Sequence, residues 1–142
     1  MRTHRAFTLI ELLVTMAVLA ILSAIAWPNY LNYVNQSKAA TAQQAIATAM
    51  GALEQQYLDT RSYPASDTIA DTHNYFTYVY TPTGNPPGQS YTITASGNGV
   101  LSQYYIAASS NDLRCACLAC SGNPLNGFSA SLNSCPAGSV PW

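Results

Sequence analysis

The hydrophobic positions of this chain fall into a continuous apolar run followed by an amphipathic stretch. Residues 7–27 contain one charged side chain, Glu11, and as a helix they would span about 32 Å, close to the thickness of a bilayer core. Between residues 29 and 57, apolar residues recur mostly at steps of three and four, which predicts a helix with one apolar stripe. The stripe consists of Leu31, Val34, Ala42, Ile46, Ala49, Leu53 and Tyr57.

Three segments after this helix are rich in aromatic and β-branched residues and predict strands: 75–80, 91–95 and 104–108. The helix should stop at residues 61–64, because the residue before Pro64 avoids the helical region. A Gly/Pro-rich loop at 81–89 and a turn at 96–99 separate the strands. Short connections favour an antiparallel meander. The pattern predicts an α+β fold in which one small sheet covers the second half of one long helix.

The apolar run predicts a retained membrane anchor. It is too long for the core of an ordinary secretory signal, and no small-residue cleavage site follows it. Arg2 and Arg5 precede it, and the next basic residue is Lys38, so the amino-terminal flank should face the cytoplasm. The remainder of the chain then lies on the other side of the membrane.

Glu11 needs an explanation beyond anchoring. A carboxylate one turn into a spanning helix costs about 2–3 kcal/mol on insertion scales. Either Glu11 is an interfacial charge that is tolerated, or its charge has a partner. A cut between Ala6 and Phe7 would create an amine four residues before Glu11, on its own chain or on a neighbour.

The segment Ala6-Phe7-Thr8-Leu9-Ile10-Glu11, followed by the apolar run, resembles the leader and cleavage site of type IV prepilins. The resemblance implies that a prepilin peptidase cuts after Ala6 and methylates the amine of Phe7. It also implies that Glu11 takes part in methylation and subunit docking, and that Pro28 is a helix-kinking proline. Ala6 stands where the family usually has Gly.

The resemblance further implies a pilin fold in three parts: a cleaved leader at 1–6, a transmembrane and filament-core helix at 7–28, and a periplasmic, later extracellular, globular domain at 29–142. The function implied is that of a structural subunit that leaves the inner membrane for an extracellular filament. Its partners would be other pilin subunits, the prepilin peptidase and the inner-membrane assembly platform.

The layout of Tyr57, Tyr63-Pro64 and the late cysteines looks most like a minor pilin. A type II secretion pseudopilin, the major pilin and a DNA-binding competence pilin remain alternatives. Calcium-binding pseudopilins carry an acidic loop near the carboxyl terminus, and here Asp112 is the last acidic residue and the only one after Asp71.

The charge balance disfavours nucleic acid as a partner. The whole chain has a net charge of −1, and removal of residues 1–6 leaves three basic and six acidic side chains, a charge of −3. Such a body has no basic stripe that could neutralise phosphates. We therefore expect no nucleic-acid binding.

The four cysteines, Cys115, Cys117, Cys120 and Cys135, are expected to form disulfides. The paired spacing of a zinc knuckle is absent, and the predicted location is oxidising. A bridge between Cys115 and Cys117 would close a very short ring, which favours Cys135 as the partner of one of these two. The pairing stays open between them. The bounded segment resembles the cysteine-closed surface loop of pilins.

No catalytic constellation is found, so we expect no enzyme, no cofactor and no metal site. His4 lies in the leader, and His73 follows Asp71 in a polar loop, which is typical of a solvated histidine. The ten tyrosines are expected in the core and sheet rather than on a base-stacking surface, because basic neighbours are lacking.

Overall fold

The computed structural model describes residues 7–69 and 73–142. Its first element is α1, a helix from Leu9 to Thr60, which ends where the sequence predicts the helix to stop. The chain divides into two compact units, the first ending at Asn35 and the second running from Gln36 to Trp142. α1 contributes residues to both units.

In the second unit, α1 buries one face. Its buried residues recur at steps of three and four and are Ala39, Ala42, Ile46, Met50 and Leu53. This confirms the predicted stripe at Ala42, Ile46 and Leu53 and adds Ala39 and Met50. The predicted Ala49 and Tyr57 are partly buried and pack against the same core. Leu31, in the first unit, is 45% exposed, so its assignment to the stripe is wrong. The reason is that the buried face begins only at Ala39.

Five strands form one antiparallel sheet in chain order, which confirms the predicted meander. The first hairpin pairs Phe76 with Gly97 at one end and Thr83 with Ser90 at the other. A 3₁₀ turn at Gly99–Leu101 connects the second and third strands. The strands are β1 (Phe76–Thr83), β2 (Ser90–Gly97), β3 (Tyr105–Ser109), β4 (Arg114–Cys117) and β5 (Val140–Pro141).

The sheet is larger than the sequence predicts. Thr81–Thr83 belong to β1 rather than to a loop, because β1 is an edge strand, where Pro82 and its missing N–H group are tolerated. The predicted turn at 96–99 begins later, since β2 continues to Gly97. β4 and β5 were not predicted at all, because each is too short to show a period of two.

The two faces of the sheet have different cores. Tyr91, Ile93 and Ile106, all fully buried, face the buried side of α1. On the opposite face, a smaller cluster joins Ala107 and Cys115 to residues of the segment after β4. The fold is therefore one helix on a sheet whose far side is partly covered by the carboxyl-terminal segment.

Tyrosines fix the end of α1 to the sheet, as expected for core residues. The hydroxyl of Tyr63 donates to Glu54 Oε1 at 2.8 Å, and that of Tyr91 to the same oxygen at 3.5 Å. The Tyr63 ring lies 4.6 Å from the rings of Tyr57 and Tyr91. Burial, and then the Glu54 carboxylate, raise the pKa of Tyr63 and of Tyr91 well above the ordinary value.

The loop between β1 and β2 docks on the residues that follow α1. The backbone N–H of Tyr63 donates to Gly88 O at 2.8 Å. Gly88 is buried and has a φ of +86°, and a β carbon there would lie 2.9 Å from Tyr63 O and closer still to the Ser62 hydroxyl. Only glycine meets both requirements without strain.

Candidate functional site

The amino-terminal unit presents a bare apolar helix. Every residue from 7 to 33 is exposed, including large side chains such as Leu13, Leu19 and Ile25. α1 contains a window with a mean hydropathy of 2.5, none of it buried, which is long and apolar enough to cross a membrane. Exposed apolar surface on this scale marks a membrane-contacting or protein-contacting region.

The bare helix begins with a capping box formed by Thr8 and Glu11. The Glu11 carboxylate accepts hydrogen bonds from the Thr8 backbone N–H at 2.9 Å and from the Thr8 hydroxyl at 2.8 Å. In return, the Thr8 hydroxyl accepts from the Glu11 N–H at 3.3 Å. These bonds satisfy donors that a helix start leaves unpaired, and the carboxylate complements the positive end of the helix dipole.

This cap was not predicted, although Thr-x-x-Glu before an apolar run is its signature. The cap fixes the position of the Glu11 side chain. Glu11 is held within hydrogen-bond reach of the backbone next to Phe7, so its carboxylate stays at the amino-terminal end of the helix.

Ala6, the other half of the predicted cleavage site, lies outside the described residues. Phe7 is 85% exposed, so its side chain is accessible. Pro28 lies inside α1, which continues through it. Cleavage, methylation of Phe7, pairing of Glu11 with an amine and the bend at Pro28 stay predictions.

The four cysteines form two disulfides. Cys115, fully buried in β4, is bonded to Cys135 across 20 residues, with 5.5 Å between the Cα atoms. This is one of the two pairings that the sequence left open. Cys117 is bonded to Cys120. The first bridge closes the segment after β4 into a loop, as predicted.

The closed loop packs on the outer face of the sheet. Leu125 and Phe128, which are 4% and 8% exposed, contact Ala107 and Cys115. The chain end is fixed beside it, because the indole N–H of Trp142 donates to Cys115 O at 3.2 Å. The loop is therefore an ordered part of the second unit.

Two of the three basic side chains of the second unit contact neighbouring side chains. Lys38 Nζ lies 4.8 Å from the centre of the Tyr75 ring. Arg114 pairs with Asp112 at 2.8 Å and lies over the Trp142 ring at 5.5 Å. Arg61, the third base, is exposed.

His73 is exposed, and its ring stacks on that of Tyr75 at 5.3 Å. In the part of the chain that the structure describes, no group of three or more His, Cys, Asp or Glu side chains is arranged to hold a metal ion.

Comparison with known families gives two matches that together cover residues 1–119. Residues 1–27 match the prokaryotic N-terminal methylation motif, and residues 28–119 match the model described as "Type IV minor pilin ComP, DNA uptake sequence receptor". No match to a curated protein is found.

Among solved structures, the chain is similar to a type IV pilin from Shewanella oneidensis. The two share 27% sequence identity with a TM-score of 0.51, over 56% of this chain and 89% of that chain. This neighbour supports the arrangement of a long helix packed on an antiparallel sheet.

Proposed function

Because this chain belongs to the family of the type IV minor pilin ComP, we propose that it enters the pilus through the apolar half of α1 after cleavage following Ala6. Members of pilin families are structural subunits rather than enzymes, and this chain is a structural subunit of a type IV pilus. It is anchored by its amino-terminal helix, processed by a prepilin peptidase and assembled with other pilins.

The observation that carries the proposal is the bare helix of the first unit. Residues 7–33 present large apolar side chains that none of the described residues covers. Lipid can cover them before assembly, and the same segment of neighbouring subunits can cover them afterwards. Assembly then exchanges one apolar environment for another and does not expose this surface to water.

In such a filament, Glu11 needs a partner of opposite charge. Its carboxylate is already held at the start of the helix by Thr8. A cut after Ala6 places the Phe7 amine one residue away from this cap. Pairing with that amine on a neighbouring subunit offsets the cost of burying the charge and penalises wrong axial registers.

The charge flanks suggest the orientation and location. Arg2 and Arg5 face the cytoplasm, so the second unit lies in the periplasm while the helix spans the inner membrane. The inner-membrane assembly platform would then pass the subunit into an extracellular filament. The buried Cys115–Cys135 bridge fits this oxidising side.

Mass spectrometry of membrane-extracted protein tests the processing step. The expected mature chain begins at Phe7 and carries one methyl group on its amine. Cells that lack the prepilin peptidase should retain residues 1–6 on the same protein. A chain that still begins at Met1 in cells with active peptidase would refute cleavage at this site.

A second candidate function, DNA binding, is favoured by the family match over residues 28–119, since that family is described as a DNA uptake sequence receptor. The charge of the chain argues for a particular mode. With Lys38, Arg61 and Arg114 as its bases after the leader, the protein could neutralise about three phosphates at most. Binding would then depend on base contacts rather than on phosphates.

Selection from a randomised duplex pool tests this second candidate. The expected result is enrichment of one sequence, bound with a log–log salt slope no steeper than about −3, since each neutralised phosphate contributes about −0.9. Scrambled duplex is the matched control. If no sequence is enriched, the DNA role fails, while the role as a pilus subunit is unaffected.

A further inference from the structure

A short sequence repeat lies where the apolar run of α1 ends. Each repeat has an aromatic residue, then Pro, Leu or Val, then asparagine, and the three copies are Trp27-Pro28-Asn29, Tyr30-Leu31-Asn32 and Tyr33-Val34-Asn35. We call residues 27–35 the collar. The collar is helical throughout, contains no charged side chain, and ends at the last residue of the first unit.

The repeat gives the collar an aromatic side and an amide side. Because a helix has about 3.6 residues per turn, positions three residues apart lie about 60° apart around its axis. The three rings therefore cover an arc of about 120° on one side. The three asparagines cover a similar arc on roughly the opposite side, so the collar is amphipathic without carrying charge.

The aromatic side chains of the collar are open. Trp27, Tyr30 and Tyr33 are 67%, 62% and 72% exposed. The rings of Trp and Tyr combine an apolar body with a polar N–H or O–H group, and they are enriched where a membrane meets water. Asparagine amides both donate and accept hydrogen bonds, which suits the hydrated side of that boundary.

The length of the helix places the collar at a headgroup layer. From Phe7 to Trp27 the helix rises about 30 Å, the thickness of the hydrocarbon core of a bilayer. From Trp27 to Asn35 it rises about 12 Å further, and one headgroup layer adds roughly 5–8 Å to the core. When the apolar run spans the membrane, Trp27 therefore lies at the boundary of the core and Asn35 at or beyond the membrane surface.

The same rings could instead be covered by the helix of a second copy of this chain. Close contacts between helices in a membrane favour small residues at the interface. The collar has a bulky ring in every repeat, and its opposite side carries amides. Both features suit a half-hydrated lipid layer better than a tight contact between helices.

Building on the membrane anchor of the proposed function, we propose that the collar binds the lipid headgroup layer on the side of the membrane that faces the second unit. The aromatic rings lie at the level where acyl chains meet headgroups, and the amides hydrogen-bond to water and lipid oxygens. Because the collar has no charge, this binding does not require anionic lipid.

Tryptophan fluorescence in phosphatidylcholine vesicles tests the proposal, because the chain has two tryptophans, Trp27 and Trp142. In the full chain, Trp142→Phe leaves Trp27 as the reporter, and thermal unfolding checks that the second unit still folds. Lipids brominated close to the headgroup should quench Trp27 more strongly than lipids brominated at the end of the acyl chain. Iodide in the water should quench it only in part, and added phosphatidylglycerol should leave the profile unchanged.

Two reference proteins calibrate the depth, each with Trp27→Phe and Trp142→Phe. Leu19→Trp moves the reporter eight residues, about 12 Å, back into the apolar run. Bromine at the end of the acyl chain should quench it most. Val100→Trp moves the reporter to the second unit, at a position that is 79% exposed, and there iodide should quench it most.

A matched pair of variants tests the rings themselves. In the Trp142→Phe chain, Tyr30→Ser with Tyr33→Ser should increase the quenching of Trp27 by iodide, because two rings between it and the water are removed. Asn29→Ser with Asn32→Ser is the control, since it changes two side chains on the opposite side of the helix. It should leave the quenching unchanged. All four side chains are exposed, and circular dichroism checks that the helix is retained.

Several results would overturn the proposal. One is strongest quenching of Trp27 by the deep bromines, and another is quenching by iodide alone. Shielding of Trp27 from both kinds of quencher would assign the collar to a contact with another copy of the chain. An unchanged iodide response in the tyrosine pair would contradict the role of the rings. If the deep bromines fail to quench the Leu19→Trp reference, the membrane anchor itself fails, whereas normal quenching of that reference confines the failure to the collar.

Discussion

α1 is one helix with two different surfaces. From residue 7 to 33 every residue is exposed although most are apolar, whereas from Ala39 to Leu53 every third or fourth residue is buried. The second half is covered by the sheet of its own chain. The first half must be covered by lipid or by other subunits. A continuous apolar pattern thus identifies an element whose environment lies outside the chain, and a periodic pattern identifies one that folds on its own chain.

Substitution of two isoleucines on α1 should show the largest difference in stability between the two halves of the helix. Ile46 is fully buried and Ile21 is 64% exposed. Ile46→Ala should lower the free energy of unfolding of the second unit by about 2–5 kcal/mol, because it leaves a cavity. Ile21→Ala should change it by less than about 0.5 kcal/mol. Denaturant unfolding followed by near-ultraviolet circular dichroism measures both, and equal effects would contradict the division.

The two disulfides should differ in what they stabilise. Replacing both Cys115 and Cys135 by alanine should cost about 3 kcal/mol, because the bridge closes 20 residues. The matched replacement of Cys117 and Cys120 should cost about 2 kcal/mol, because that ring spans three residues. Denaturant midpoints of the two double variants give the comparison. An equal or larger loss in the second pair would refute the loop-closure explanation.

Alkaline pH should affect the second unit through its tyrosines. The pKa of Tyr63 and of Tyr91 is raised in the folded protein, so their contribution to stability is complete below the unfolded value of about 10. It is lost as pH rises further towards the folded values. Tyr63→Phe should make this loss shallower. Denaturant unfolding at a series of alkaline pH values measures it, and an unchanged slope would contradict a raised pKa for Tyr63 in the folded protein.

The sequence predicts the elements of the fold that are long enough to show a recognisable pattern. The second half of the helix follows from spacing, its stop from Pro64, and three strands from runs of aromatic and β-branched residues. Two strands could not be predicted in this way. β4 has four residues and β5 has two, and what stabilises them is pairing with neighbours and the Cys115–Cys135 bridge rather than local preference.

In the candidate site too, individual residues could be predicted from the sequence but their contacts could not. The carboxylate of Glu11 stands out in the sequence because a charge in an apolar run is costly, but its contact with Thr8 was missed. The packing of the closed loop could not be predicted either. It depends on Leu125 and Phe128 meeting Ala107 and Cys115 on the outer face of the sheet. Such long-range juxtapositions have no local signature.

Pairing of Glu11 with the Phe7 amine of a neighbouring subunit is tested most directly by Glu11→Gln. The measurement is the fraction of this variant that enters sheared pili, relative to the fraction retained in the membrane. Glutamine can still complete the capping box with Thr8, but it has no charge to pair with the Phe7 amine of a neighbour. This variant should insert, be cleaved and fold, yet enter filaments poorly, and Glu11→Leu should do the same. Normal incorporation of both variants, with cleavage verified, would show that Glu11 is only a tolerated charge and would contradict assembly through this pairing.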